Sequence, residues 1–365
     1  MARIHITLVG GQRYPVYLGI IDRNPDVVVF VHSDKTQVDA EKIAEELPKN
    51  ISISYEPFDP VDVEEIFDKA AILAKNAQEN QQNEYSVNIS GGTKLWSIAF
   101  YKYFINLVNA EIFYIDQNNY YWGLQPVSEH QTKVELKTDV VFRLNGQNVK
   151  PTNFHDFNQE DADTAKRLEE LFDNGVFYGL VAEKNTHYLT YKQGIVEKNG
   201  NYLKWDSQSQ SAEIKLYGKN YFLQSPHLFQ LLFHFAWFEY QTAAFLSQWD
   251  YAKEILLNVK FSADVQNKDK NEVDVIVNTG FRLIFVECKT QITEATDIDK
   301  FRTVIKNFGG TGCKGLFLQR EKLKPIVREK CAESGIICFS LKENKNNERS
   351  LFQILEKELF EINKK

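Results

Sequence analysis

The chain has 365 residues, enough for two or three domains, each with its own core. Hydrophobic residues make up 43% and charged residues 25%, ordinary values for a globular protein, and no apolar run approaches the roughly 18 residues of a membrane span. A formal net charge of −7 argues against a charge-driven nucleic-acid coat protein, while leaving room for a local basic groove. Four cysteines, Cys288, Cys313, Cys331 and Cys338, are too few and too irregularly spaced for a disulfide scaffold or a zinc site. Arg3 and His5 interrupt the start of the chain, which carries no long apolar stretch, so a cytoplasmic protein without a membrane partner is expected.

Ile4–Val9 reads as a buried strand ending in Gly10-Gly11-Gln12-Arg13, and Val27–Val31 as a second, continuously apolar strand. A helix over 37–47, a strand at Ile51–Tyr55 and a helix from Val61 to Glu79 follow. The strand Tyr85–Ile89 runs into Ser90-Gly91-Gly92-Thr93-Lys94, then a helix over Leu95–Asn109 and the strand Glu111–Ile115. This alternation predicts a Rossmann-like α/β domain over 1–149, whose ligands bind outside the carboxyl ends of the strands. Ser90, Gly91 and Gly92 let the backbone approach a ligand closely. Thr93 stands where a helix would begin and favour a phosphate, with Lys94 adding a charge. A tight turn needing glycine only for its backbone is the competing reading, since neither a Walker A loop nor a Gly-x-Gly-x-x-Gly fingerprint is present.

Residues 116–150 read as a hairpin extension, with Tyr120–Leu124 and Val134–Leu136 strand-like and a boundary at Lys150-Pro151. The segment 150–225 is expected to be a small α+β connector, a helix over Asp161–Asn174 plus short strands, with a winged helix as one form it could take. Ser225-Pro226 predicts a helix start, followed by the apolar stripe Leu228, Leu231, Leu232 and Phe235, which Glu239 continues. A carboxylate there is either at the stripe's edge, reaching solvent, or paired or metal-bound. Further on, Asp297–Phe308, Leu316–Leu318, Lys324–Ser334 and Ile336–Phe339 alternate helix and strand. The basic residues Lys314, Arg320, Lys322, Lys324, Arg328 and Lys330 line either a groove or a solvated face.

The third unit, 226–365, is organised around Glu272–Lys289, two β-branched runs flanking Thr279-Gly280. A two-residue Thr279-Gly280 loop sets Asp274 opposite Phe285 and Glu272 opposite Glu287. Alternation then puts Glu272, Asp274, Glu287 and Lys289 on one face and Val273, Val275, Val277, Ile284 and Val286 on the other. Cys288 falls on the core face as a buried thiol. Like charges opposite each other destabilise a hairpin, and a hard divalent cation held by carboxylates would offset them. A solvated face on which Lys289 pairs with a glutamate is the alternative.

Asp274, then a turn, then Glu287-x-Lys289 resembles the PD-(D/E)xK nucleases of the restriction-endonuclease type, with Val273 where the literal motif has proline. Such folds carry an acidic residue on the helix before the hairpin, which implies a role for Glu239. A Rossmann-like domain with Ser90–Lys94 after a central strand, opening on Leu8-Val9-Gly10-Gly11-Gln12, is similar to the CARF domains of type III CRISPR ancillary proteins. Together the two resemble CARF-linked nucleases activated by cyclic tetra-adenylate.

The resemblance implies an α/β chain: an N-terminal CARF sensor over 1–149, the connector, and a restriction endonuclease-like α/β/α domain over 226–365. It implies a homodimer binding cyclic oligoadenylate through Gly10, Gly11, Gln12, Arg13, Ser90, Gly91, Gly92, Thr93 and Lys94 of each subunit. Mg²⁺ or Mn²⁺ would be held by Asp274, Glu287, a main-chain carbonyl near Cys288, and Glu239, with Lys289 catalytic and Glu272 behind them. Single-stranded RNA or DNA is the implied substrate, with nicking of duplex DNA as an extension. A ligand-responsive DNA-binding regulator and a ring nuclease degrading its own messenger are the alternatives.

Overall fold

The computed structural model describes every residue except 117, 133, 148, 150–151, 191, 235, 263–268, 291–293, 311, 346 and 361–365. The expected boundary at Lys150-Pro151 and the stripe residue Phe235 thus lie outside the described residues. The chain forms two compact units, one of residues 1–149, 278–283 and 303–314, the other of 150–277, 284–302 and 315–365.

The first unit begins with β1 (Arg3–Leu8), α1 (Arg13–Arg23), β2 (Val27–His32), α2 (Gln37–Glu45), β3 (Ser52–Pro57) and α3 (Val63–Glu79). It continues with β4 (Glu84–Asn88), α4 (Lys94–Phe104), β5 (Ala110–Ile115), β6 (Tyr120–Gln125), β7 (Val127–Gln131) and α5 (Thr138–Leu144). The strand order is β3-β2-β1-β4-β5-β6-β7. The first five strands pair in parallel and the last two antiparallel.

Apolar side chains leave this sheet on both faces, as a covered parallel sheet requires. Ile6, Leu8 and Val87 pack under α3 and α4 with Ile66, Trp96 and Phe100, while Val28 and Phe30 pack under α1, α2 and α5 with Val16, Ile20, Ile43 and Leu144. The structure adds α1 and α5, which hydropathy patterning does not single out. Val134–Leu136, expected as a strand, is not one: the Leu136 N–H donates to the Gly280 carbonyl and α5 starts two residues later.

The second unit opens with β8 (Thr152–Asn153), α6 (Gln159–Phe172) and α7 (Gly175–Thr190), then β9 (Gln193–Lys198), β10 (Asn201–Asp206), β11 (Ser211–Leu216) and β12 (Lys219–Gln224). Residues 150–225 are therefore chiefly two helices and a four-stranded antiparallel meander, rather than a winged helix. The meander's Leu203, Trp205 and Ile214 share one core with the rest of the unit.

Next come α8 (Leu228–Phe233), α9 (Trp237–Leu246), β13 (Glu254–Ser262), β14 (Asp269–Asn278) and β15 (Leu283–Lys289). The chain closes with α10 (Ala295–Val304), β16 (Lys314–Gln319), α11 (Pro325–Ser334), β17 (Ile336–Ser340) and α12 (Ser350–Phe360). The mixed sheet runs β17-β16-β15-β14-β13-β8.

Two expectations are corrected here. The helix does not start at Ser225-Pro226: its N-cap is His227, whose backbone N–H and ring Nδ1 are both bonded to the fully buried Asp161 carboxylate. Nor does one stripe carry Leu228 through Glu239, because the chain turns between α8 and α9 and Glu239 sits in the first turn of the second helix. The basic run 314–330 is also largely neutralised: Arg320 pairs with Asp173, Lys324 with Glu294, Arg328 with Glu343 and Lys330 with Asp299.

Candidate active site and ligand loops

In the first unit, β1 and β4 lie side by side where the strand order reverses, which is where open α/β sheets bind ligands. The loops after them, Gly10–Gln12 and Ser90–Thr93, touch. A Cβ on Gly91 would stand 2.1 Å from the Leu8 carbonyl oxygen, and one on Gly10 would stand 2.8 Å from the Gly92 nitrogen. Gly92 has φ +73 and lies against the Trp96 ring, so all three positions require glycine for fit as much as for any ligand. The two helix N-termini that follow, α1 and α4, open onto the same place.

The side chains divide into free and committed. Lys94 and Gln12 are exposed, and Gln12 makes no capping bond. Thr93 caps α4 by accepting the Trp96 N–H. The Ser90 hydroxyl donates to Asn88 Oδ1 and accepts the Ile115 N–H. Arg13, expected to face a ligand, instead turns inward: its Nε donates to Asp39 at 2.6 Å and its Nη1 to the Leu144 carbonyl. Asn88, which sequence alone does not single out, ties the site together through Ser90 and the Pro15 carbonyl.

The turn between β14 and β15, whose residues 278–283 belong to the first unit, is displaced by one residue from expectation. The Thr279 N–H donates to the Arg282 carbonyl, so Gly280 and Phe281 form the loop, with Gly280 at φ 87 and its N–H taken by Asn278 Oδ1. Continued without a bulge, that turn sets Asp274 opposite Glu287 instead of Phe285. The displacement preserves parity: Val273, Val275, Val277, Ile284 and Val286 are buried, and Cys288 joins the same core.

Asp274 Oδ2 accepts the Cys288 N–H at 2.6 Å, and Lys289 Nζ lies 2.5 Å from Glu287 Oε1. A cavity of about 420 Å³ is lined by Gln230, His234, Glu239, Asn258, Lys260, Glu272 and Asp274. Glu239 Oε2 and Asn258 Nδ2 are buried there without a hydrogen-bond partner. Gln230, His234, Asn258 and Lys260 were not identifiable beforehand; only a left-handed φ of 52 at Asn258 marks one of them, and that is a backbone fact.

The acids act on one another through their charges. Burial, then the Glu287 charge, raises the Asp274 pKa to about 8. Burial, then Asp274, Glu272 and Glu287, pushes the Glu239 carboxyl well above its usual range. Burial pulls the Lys289 ammonium down, but Glu287 and Asp274 outweigh it and its pKa ends raised. The Cys288 thiol is pushed up by burial and then by Asp274, which leaves it inert.

Among the described residues no group of three or more His, Cys, Asp or Glu side chains is arranged to hold a metal ion. The donor chemistry nevertheless suits Mg²⁺ or Mn²⁺. Mg²⁺ is usually held by one or two carboxylates and keeps its waters, and the unpartnered Glu239 oxygen is an acceptor awaiting a donor.

Residues 4–142 match the family profile of the Card1 CARF domain. No curated protein matches the chain in sequence. Across 98% of both chains its fold resembles protein VC1899 from Vibrio cholerae, with a TM-score of 0.77 at 15% identity. Can2 from Sulfobacillus thermosulfidooxidans, solved with cyclic tetra-adenylate, gives a TM-score of 0.70 at 16% identity over 98% of this chain and 99% of Can2. A type III CRISPR defence DNA nuclease activated by cyclic oligoadenylate gives 0.59 at 15% identity, over 96% of this chain and 52% of that one. Among the described residues no helix is long and apolar enough to cross a membrane.

Proposed function

We propose that the chain is a nuclease of type III CRISPR defence, switched on by cyclic tetra-adenylate bound to its CARF-like first unit. The observation that carries this reading is the gathering of Asp274, Glu239 and Glu272 at one cavity of the second unit, with the charges of Glu287 and Lys289 close enough to act on Glu239, in a fold shared with Can2 and with a cyclic oligoadenylate-activated nuclease. A regulator would have no use for acids that raise one another's pKa at a cost in stability.

Asp274 and Glu287 would hold Mg²⁺ or Mn²⁺, which when bound supplies an activated water and neutralises charge on the scissile phosphate. Glu239 Oε2, buried and unpartnered, would orient a water at the site. With its pKa raised, Lys289 stays an ammonium at neutral pH, so it offsets phosphate charge and does not act as the base. Glu272, exposed at the rim, tunes the cluster. The Cys288 contact that is present is its N–H to Asp274, which fixes the carboxylate's orientation.

The activator, a symmetric ring, would lie across a two-fold axis between two copies of the chain. Each copy would offer the backbone of Gly10–Gln12 and Gly91–Gly92, the two helix N-termini and Lys94. The test is cleavage of labelled single-stranded RNA and DNA with Mn²⁺, with and without cyclic tetra-adenylate, alongside Lys289→Ala. Activator-dependent cleavage that the variant loses supports the reading. Measurable activator binding with no cleavage of either substrate removes the nuclease.

A further inference from the structure

The first unit holds a second cavity, of about 400 Å³, whose lining includes Gly11, Gln12, Arg282, Lys306 and Gly310. It contains no carboxylate. Three cations line it: Arg13, Arg282 and Lys306. Arg13 is spent on Asp39 and Leu144.

Arg282 is the unusual one. It is only 2% exposed, and its Nε and Nη1 have no hydrogen-bond partner. The acid whose field it feels is Asp116, together with the Tyr120 hydroxyl. Asp116 does not bond to it: Oδ1 takes the N–H groups of Asn118 and Tyr120, and Oδ2 takes Trp122 Nε1. A guanidinium buried without a paired carboxylate is costly unless an anion arrives from outside.

The neighbouring lining points the same way. Lys306 is exposed and has no ion-pair partner among the described residues. It stands on a five-residue π-helical turn, Ile305–Gly309, a geometry frequent at functional sites. Gly310 follows at φ 68, a position that favours glycine.

We infer that this cavity binds a phosphate dianion, held by the charge of buried Arg282 and by Lys306. Free inorganic phosphate and the phosphate of a mononucleotide share that chemistry. The cavity shares Gly11 and Gln12 with the proposed activator loops but includes none of Ser90–Lys94, and the inference stands whether or not the nuclease reading holds.

The test is titration calorimetry of the full chain with inorganic phosphate and, separately, 5′-AMP, on wild type, Lys306→Ala and Arg282→Met. Saturable binding is expected, weakened several-fold by Lys306→Ala and at least ten-fold by Arg282→Met. Tighter binding of AMP would assign the site to a nucleotide, and equal binding to free phosphate. Because Arg282→Met removes an unpaired buried charge, its melting temperature without phosphate should match or exceed wild type. No heat of binding, binding unchanged in both variants, or a marked loss of stability in Arg282→Met would each overturn the inference.

Discussion

Asp274→Asn should stabilise the protein while removing the proposed metal site. Burial and Glu287 raise the Asp274 pKa from 3.8 to about 8. A carboxyl whose folded pKa exceeds its unfolded value binds its proton more tightly when folded, so it costs stability wherever the unfolded chain is ionised. That cost is absent below about pH 4, grows as pH rises and levels off above about pH 8. At about 1.4 kcal/mol per pH unit the ceiling is about 6 kcal/mol. Solvent reaches part of the side chain, and screening reduces the figure to about 2 kcal/mol. For a unit of this size that is roughly 5 °C. The assay is thermal melting in a chelating buffer from pH 4 to pH 9. The amide variant should melt with wild type at pH 4 and above it at pH 8. Adding Mn²⁺ at pH 8 should raise the wild type and leave the variant unmoved. A variant that melts lower at pH 8, or whose advantage ignores pH, would refute the picture of crowded acids.

Metal affinity should follow the same titration: Mn²⁺ binding, read by calorimetry, should tighten up to ten-fold per pH unit below about pH 8 and flatten above it. Lys289→Ala should lower cleavage by at least a hundred-fold while cyclic tetra-adenylate binding is retained; equal loss of both would make the lysine structural. Lys94→Ala should weaken the activator's effect several-fold with Mn²⁺ binding intact. Gly91→Ala should cost about 2 kcal/mol or more by denaturant titration, because its methyl would meet the Leu8 carbonyl at 2.1 Å, where only backbone could yield.

The sheet of the first unit was legible because its strands are continuously apolar and separated by helix-period stretches. The loops at Gly10 and Gly91 were legible because glycine pairs follow strands. What sequence could not show was which side chains remain free: Arg13 and Ser90 are the residue types a phosphate site uses, yet both are tied into the fold. The hairpin's faces were readable from period-two alternation, which a shift of the loop from Thr279-Gly280 to Gly280-Phe281 leaves unchanged. The loop's true place depended on the Asn278 and Thr279 side chains bonding to the turn, a local competition that hydropathy does not register. Glu239 was singled out for a reason the fold does not keep. No single stripe carries it, and the helix it starts is separate from the one that suggested it.

The first unit is assembled from three separated stretches of chain, the last ending at residue 314. Its Asn119 Nδ2 donates to the Phe281 carbonyl, its Leu136 N–H to Gly280, and its Leu136 carbonyl and Thr138 hydroxyl receive Asn278. During synthesis the β1–β7 sheet can form as soon as it leaves the ribosome, but these partners emerge later. At about 5–20 residues per second, the 165 residues between 149 and 314 take roughly ten to thirty seconds. Through that interval the nascent first unit has an unfinished wall, and a fragment cut after residue 149 would keep it permanently. The N-terminal unit therefore becomes complete only once most of the second unit has been made, which ties the maturation of the proposed ligand-binding half to synthesis of the carboxylate-bearing half.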